Sequence, residues 1–201
     1  MVRLAISVEG QTEQIFVDRL LVPYFEKLEI YISSILLGNG GDVAIPRIKK
    51  DLNNLASSFD KVTTLYDFYG FRGKSADENK ESLEQKIIDC VAPALQEKII
   101  PYIQMYEFEG LLFSSPEKME AEIGNKGLSN WANDILDDFN QNPEAINNSE
   151  QTAPSKRLAS KVIYIKTQHG PNIAQAIGLK KLREICTGFN DWITQLEALA
   201  I

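Results

Sequence analysis

Five carboxylates in this 201-residue chain sit where acids can act together. Glu9 follows the apolar run at 4–8, and Glu13 lies four residues on, in the first turn of the helix that comes next. Asp67 closes the run KVTTLYDF at 61–68, and Glu107 with Glu109 follows KIIPYIQMY at 98–106. In parallel α/β sheets ligands collect beyond the carboxyl ends of the strands. If these strands are neighbours, Glu9, Asp67 and Glu107 or Glu109 converge on one rim. Carboxylates so crowded repel and raise one another's pKa. A hard divalent cation, Mg²⁺ or Mn²⁺, removes the conflict and leaves positions for phosphate oxygens; two such ions clamp an in-line displacement at phosphorus. Each acid also has a plain structural account. Glu13 suits a helix N-terminus, Asp67 suits a turn, and Glu107 and Glu109 are either solvated or open a helix into 110–113.

The elements that must hold these acids alternate. LAISV is a short continuous apolar run, the pattern of a strand buried on both faces. A helix from Thr12 to about Leu21 follows, and Pro23 is expected to end or kink it. Tyr31 to Leu37 reads as a second strand, GNGGD at 38–42 as a loop, and Val43 to Ser57 as a helix. The run at 61–68 is the third strand, Lys80 to about Ala92 a third helix, and 98–106 the fourth strand, with Pro101 near its start. Strands separated by helical patterns of this length predict βαβ units and a mainly parallel, four-stranded sheet flanked by helices. Past Glu107 the strand signal fades. The polar, turn-rich segment 140–155 reads as a loop, and the stretch from Pro154 to Ile201 as three or four short helices. The expected organisation is an α/β core at 1–115 and a helical C-terminal extension at 116–201 packed on it.

Composition narrows the function. Apolar residues make up 44% and charged residues 24%, which excludes a wholly disordered chain. No stretch has the roughly 18 to 20 apolar residues of a membrane span, and MVRLAISVEG reads as a first strand rather than a secretory signal. Cys90 and Cys186 form no CxxC pair, so a cytoplasmic protein with reduced thiols is expected. The net charge of −7 is uneven: −3 over 1–103, −8 over 104–153 and +4 over 154–201. Binding of nucleic acid therefore needs metal on the acids, the basic C-terminal part, or a partner. His169, the one histidine, precedes Gly-Pro and serves either as a turn residue or as an acid/base group. Trp131 and Trp192 lie in helical patterns and read as core. Tyr66, Phe68, Tyr69 and Phe71 around Asp67 either pack the sheet edge or stack on a base.

VEGQTE at 8–13 after an apolar strand resembles the glutamate motif of Toprim domains, and its E-x-x-x-E spacing resembles that of the Toprim half of OLD-family (overcoming lysogenization defect) nucleases. YDFYG at 66–70 takes the place of the Toprim aspartate motif, and YEFEGLLF at 106–113 that of the next acidic strand end. With APSKRL at 153–158 and HGP and IGL within 169–179, the whole chain is similar to a family of small bacterial Toprim-like proteins of unknown function, often encoded near ATPases in phage-defence loci. The resemblance implies a Toprim-type sheet and roles for the residues. Glu9 is then a metal ligand and base, Glu13 and Asp67 complete the coordination, and Glu107 or Glu109 holds a second or shared ion. Ser155-Lys156 resembles the Ser-basic pair of OLD-type sites, so Ser155, Lys156 and Arg157 would meet substrate and Lys156 would steady charge on the phosphate. Lys156 reads equally as a lysine opening a helix.

Two departures stand out. The usual Asp-x-Asp is Asp67-Phe68-Tyr69 here, and no GxxxxGK[ST] occurs, so no ATP site is expected in this chain. The leading expectation is a Mg²⁺- or Mn²⁺-dependent nuclease component acting on DNA or RNA, working with a separately encoded ATPase in anti-phage defence. A non-catalytic Toprim-fold binding or regulatory module and a toxin-like effector acting on RNA are the rivals. No membrane partner is expected; a homo-oligomer is compatible with all three.

Overall fold

A computed structural model describes residues 1–38, 40–41, 43–147 and 149–200. Two positions of the loop expected at 38–42, Asn39 and Asp42, lie outside the described residues, as does Asn148 in the polar segment 140–155. Five strands form one sheet: β1 (Val2–Val8), β2 (Ile30–Leu36), β3 (Lys61–Asp67), β4 (Ile99–Ile100) and β5 (Ile103–Gln104). The order is β2-β1-β3-β4, with β5 also on β3, and every pairing is parallel. Around it lie α1 (Gln11–Phe16), α2 (Val22–Phe25), α3 (Ile45–Ser58), α4 (Lys80–Cys90), α5 (Pro116–Ile123), α6 (Leu128–Asp138), α7 (Pro154–Lys161), α8 (Lys166–Ile177), α9 (Leu179–Ile185) and α10 (Thr187–Glu197). The expected α/β class, a parallel sheet flanked by helices, is what the chain adopts.

The central strand explains its own sequence. Leu4, Ala5, Ile6, Ser7 and Val8 are all fully buried, because β1 has neighbours on both edges and helices on both faces. Leu4, Ile6 and Val8 join one apolar cluster and Ala5 the other, as strand alternation requires. Ser7 is tolerated there because the Tyr66 hydroxyl donates to its Oγ at 2.7 Å. The cluster on the Leu4 face runs on into Leu158, Ile173 and Trp192, so residues before and after 115 share one core. Trp192 fastens the C-terminal helices to the sheet: its indole stacks on Tyr102 at 4.5 Å and its Nε1–H donates to Thr63 Oγ1 at 2.8 Å.

Two elements differ from the sequence expectation. Of the two outcomes expected at Pro23, an end or a kink, the helix does not end there. The backbone widens into a π-helical stretch at Val17–Leu21 and then continues as α2, with Pro23 in its first turn. A widened turn relieves the clash of the proline ring with the preceding carbonyl and absorbs the missing donor. The fourth strand, expected as one run over 98–106, is broken into β4 and β5 at Pro101. There Thr64 replaces the lost ladder contacts: its Oγ1 accepts from the Tyr102 N–H and donates to the Tyr102 carbonyl, each at 2.9 Å. Among the described residues no helix is long and apolar enough to cross a membrane.

Candidate functional site

The carboxyl ends of β1, β3 and β5 are adjacent, and the acids that follow them meet. The Glu9 N–H extends the ladder to the Leu65 carbonyl at 3.4 Å, and Glu9 Oε2 accepts the Asp67 N–H at 3.2 Å. A short turn at Phe68–Gly70 follows Asp67, and Gly70 lies directly against the Glu9 carboxylate. A Cβ at position 70 would stand 2.2 Å from Oε2 and 2.7 Å from Cδ, so only glycine leaves room for this carboxylate. Glu13 is buried in the first turn of α1 and folds back towards Gly10, where a Cβ would lie 3.1 Å from its Oε2.

The β5 side is shaped by an uncommon backbone. Tyr106 has φ 62°, the left-handed region that a bulky residue enters only when its surroundings hold it. Here the Tyr69 N–H donates to the Tyr106 carbonyl at 3.0 Å. The chain then enters a 3₁₀ helix at Phe108–Ser114, whose Phe108 N–H donates to Asp67 Oδ1 at 2.8 Å. That bond ties the two strand ends together. Glu107 turns to the start of α7 and accepts from the Ser155 N–H at 2.8 Å and the Ser155 Oγ–H at 3.0 Å. It thereby caps a helix whose own N-cap, Ala153, has no capping side chain. Glu109, 2% exposed, receives Lys166 Nζ at 3.3 Å and the Tyr164 hydroxyl at 3.4 Å.

The electrostatics follow from this crowding. Burial pushes the Glu9, Glu13 and Asp67 carboxyls above their ordinary values. For Asp67 the neighbouring charges of Glu13, Glu9, Glu109 and Glu107 add to burial and carry it well above. Glu109 is raised by burial to about 7 in spite of Lys166. Burial pulls the Lys166 ammonium down, but Glu109, Glu107 and Asp67 outweigh it and raise its pKa. Five carboxylates thus face one ammonium, and their unspent negative charge suits a divalent cation. Glu9 Oε1 and Asp67 Oδ2 accept no hydrogen bond among the described residues, which leaves each with an open oxygen. Among the described residues no three His, Cys, Asp or Glu side chains are grouped so that they could hold a metal ion as they stand. The residue types and their open oxygens fit a hard cation; a closed cage would require side-chain adjustment on binding.

The remaining sequence candidates lie elsewhere or serve otherwise. Ser155 meets Glu107 rather than facing outward. Lys156 is exposed and lines a depression with Trp131, Gln151 and Ser160. Arg157 donates to the Thr152 carbonyl at 2.6 Å and the Asn147 carbonyl at 3.1 Å. His169 Nδ1 accepts the Ile165 N–H at 3.1 Å, fastening the first turn of α8. Tyr69, at the second position of the Asp-x-Asp pattern, donates its hydroxyl to Asn147 Oδ1 and packs its ring 5.4 Å from Tyr106. Lys166 and Tyr164 were not singled out by the sequence reading. The one available signal was a lysine opening a helix, where its charge opposes the helix dipole and calls for a nearby acid.

The chain belongs to the family described as a domain of unknown function (DUF4276), whose sequence model matches residues 8–197. Its structure is similar to that of the C-terminal region of the Xanthomonas campestris pv. campestris OLD protein. For the iodine-phased structure the TM-score is 0.42 at 18% identity, covering 97% of each chain. For the platinum-phased structure it is 0.43 at 18% identity, covering 98% of this chain and 96% of that one. Comparison with curated proteins returned no match.

Proposed function

We propose that this family member is a Toprim-type metal-dependent phosphodiesterase, a nuclease component that takes Mg²⁺ or Mn²⁺ on its acidic rim. One observation carries the reading: Glu9, Glu13, Asp67 and Glu109 crowd the carboxyl edge of a parallel sheet with Lys166 as their cation. Holding that many acids together without metal is costly. Glu9, Glu13 and Asp67 would hold the ion, with Glu109 holding a second or shared one. The bound cation would polarise a phosphate oxygen and lower the pKa of water. Glu9 Oε1 would take a proton from the attacking water. Lys166 Nζ, beside Glu109, would steady charge growing on the phosphate, the part assigned above to Lys156. Tyr164 and Ser155 keep Glu109 and Glu107 in place through their hydroxyls. The Toprim label is supported by the motifs at 8–13 and 66–70 and by the strand order. The separately encoded ATPase and the setting in anti-phage defence rest on the family resemblance alone.

One observation favours a second reading, a non-catalytic binding or regulatory module. Tyr69, not Asp, occupies the second aspartate position, and its hydroxyl is already engaged by Asn147.

Calorimetric titration with Mn²⁺ and Mg²⁺ separates the two, run on the wild type, Glu9→Ala and Asp67→Ala, with cleavage of DNA and RNA followed in parallel. Micromolar binding lost in both variants, together with metal-dependent cleavage, supports the phosphodiesterase. Metal binding without cleavage of either polymer favours the binding module. Binding indifferent to both substitutions removes the acidic rim as a metal site.

A further inference from the structure

The connector at 162–165, between α7 and α8, carries two of the few large apolar side chains that the described residues leave in solvent: Ile163 at 86% exposure and Ile165 at 48%. The backbone is extended at Val162 (φ −143°, ψ 165°) and at Ile165 (φ −104°, ψ 103°), so side chains alternate. Val162 and Tyr164 turn inward onto the core, and Tyr164 continues to Glu109. Ile163 and Ile165 turn outward. Lysines flank them: Lys161 before, exposed and 6.0 Å from the Trp131 ring, and Lys166 after, on the acidic rim. The surrounding sequence is biased in the same sense. Residues 151–183 contain seven Lys and Arg and not one Asp or Glu, in a chain with 28 acids.

We propose that this connector is an apolar-tipped basic lip that engages unpaired bases of a polynucleotide, so that the rim takes single strands or frayed ends in preference to closed duplex. The inference rests on the phosphodiesterase reading for where the strand goes next. Exposed apolar side chains between lysines match the two surfaces of a single strand, base faces and phosphates. In closed duplex the base faces are stacked away, and only the phosphate contacts remain. Charge argues for a polyanion over a second copy, since the exposed Lys156 and Lys161 of α7, beside the connector, would meet themselves across a two-fold contact.

Fluorescence anisotropy on the full chain, in calcium buffer, with labelled single-stranded DNA, single-stranded RNA and blunt duplex DNA of one sequence, tests this. The expected result is single-strand binding roughly ten-fold tighter than duplex binding. The double substitution Ile163→Ser with Ile165→Ser should lose that roughly ten-fold advantage while duplex affinity holds. Both positions are exposed, and serine is favoured at the N-cap that Ile165 occupies, so folding is spared. Lys161→Gln should reduce the slope of log affinity against log salt by about 0.7 on single strands. The DNA and RNA arms report which sugar is preferred. Equal affinity for strand and duplex, or a double variant that binds as the wild type does, overturns the proposal. Self-association lost in the double variant, or binding to phosphatidylserine vesicles lost in it, overturns it too and reassigns the lip. Metal calorimetry on the same variant keeps the two readings apart. Retained metal binding with an inert lip sinks only the lip. Absent metal binding with intact strand preference sinks only the phosphodiesterase.

Discussion

Gly70→Ala isolates the acidic rim from the fold. The backbone at Gly70 needs no left-handed conformation, since its φ is not among the positive values, so alanine meets no intrinsic strain there. The obstacle is the Glu9 carboxylate, with Oε2 at 2.2 Å and Oε1 and Cδ at 2.7 Å from the added Cβ. Carbon does not approach oxygen that closely, and the cheapest response is for the end of the Glu9 side chain to swing away. That breaks its bond from the Asp67 N–H, a charge-assisted contact worth about 1.5–3 kcal/mol. Part of the loss is offset, because Glu9 also leaves the repulsion of Glu107 and Glu109. The net effect on the stability of the metal-free chain is therefore about 2 kcal/mol or less. Metal affinity should fall much further, by about 10- to 100-fold, as expected when the support of a ligand is removed. Urea unfolding reads the first quantity and Mn²⁺ calorimetry the second. Repeating the urea unfolding in a Glu9→Ala background closes a double-mutant cycle in which Gly70→Ala should have almost no further effect on stability. Wild-type metal affinity in Gly70→Ala, or an equal loss of stability in the Glu9→Ala background, would refute the reasoning.

Two further outcomes follow from the same geometry. The folded state holds the Glu109 carboxyl at about 7 against an ordinary 4.5, so between those values it binds more protons than the unfolded chain. Stability of the metal-free protein is then greatest below the lower value and is lost as pH rises through about 7, by up to about 3 kcal/mol for Glu109. Urea unfolding near pH 5 and near pH 8 should show this fall, saturating Mn²⁺ should flatten it, and Glu109→Gln should remove only the Glu109 share, because Glu9, Glu13 and Asp67 are raised in the same sense; stability rising with pH would contradict it. Lys166→Met should cut metal-dependent cleavage about 100-fold, with Lys156→Met within about 2-fold of wild type. Equal losses in the two variants would return Lys156 to the site.

How much of this was legible depended on whether the governing contact was local. The three acidic strand ends could be read because a strand buried on both faces must be apolar from end to end, and the first acid after it marks the sheet edge. Glu9 and Asp67 are that case, and parallel pairing of β1 with β3 brings them together. The break at Pro101 was not legible, since its repair comes from Thr64, which lies on another strand. Nor was the choice between an end and a kink at Pro23, because the π-helical stretch before it has no marker in residue type. Lys166 reaches Glu109 across 57 positions, through a helix start that no motif at 153–158 announces.

Ser155 shows why a motif and an atom are different evidence. The resemblance drew attention to Ser155-Lys156 as a unit, yet the two side chains part: Ser155 turns in to Glu107 and Lys156 turns out to solvent. In a helix, consecutive residues point about 100° apart, so a serine that caps inward commits the next residue to another direction. The cation for Glu109 then has to come from a different element, and the start of α8 supplies it. What places that start is close packing of α8 on α1, where a Cβ on Gly170 would lie 3.1 Å from Thr12 Cγ2 and 3.0 Å from the Tyr164 hydroxyl. Glycine at 170 therefore lets the helix that carries Lys166 lie against the helix that carries Glu13, and the lysine's place on the rim depends on a residue with no side chain.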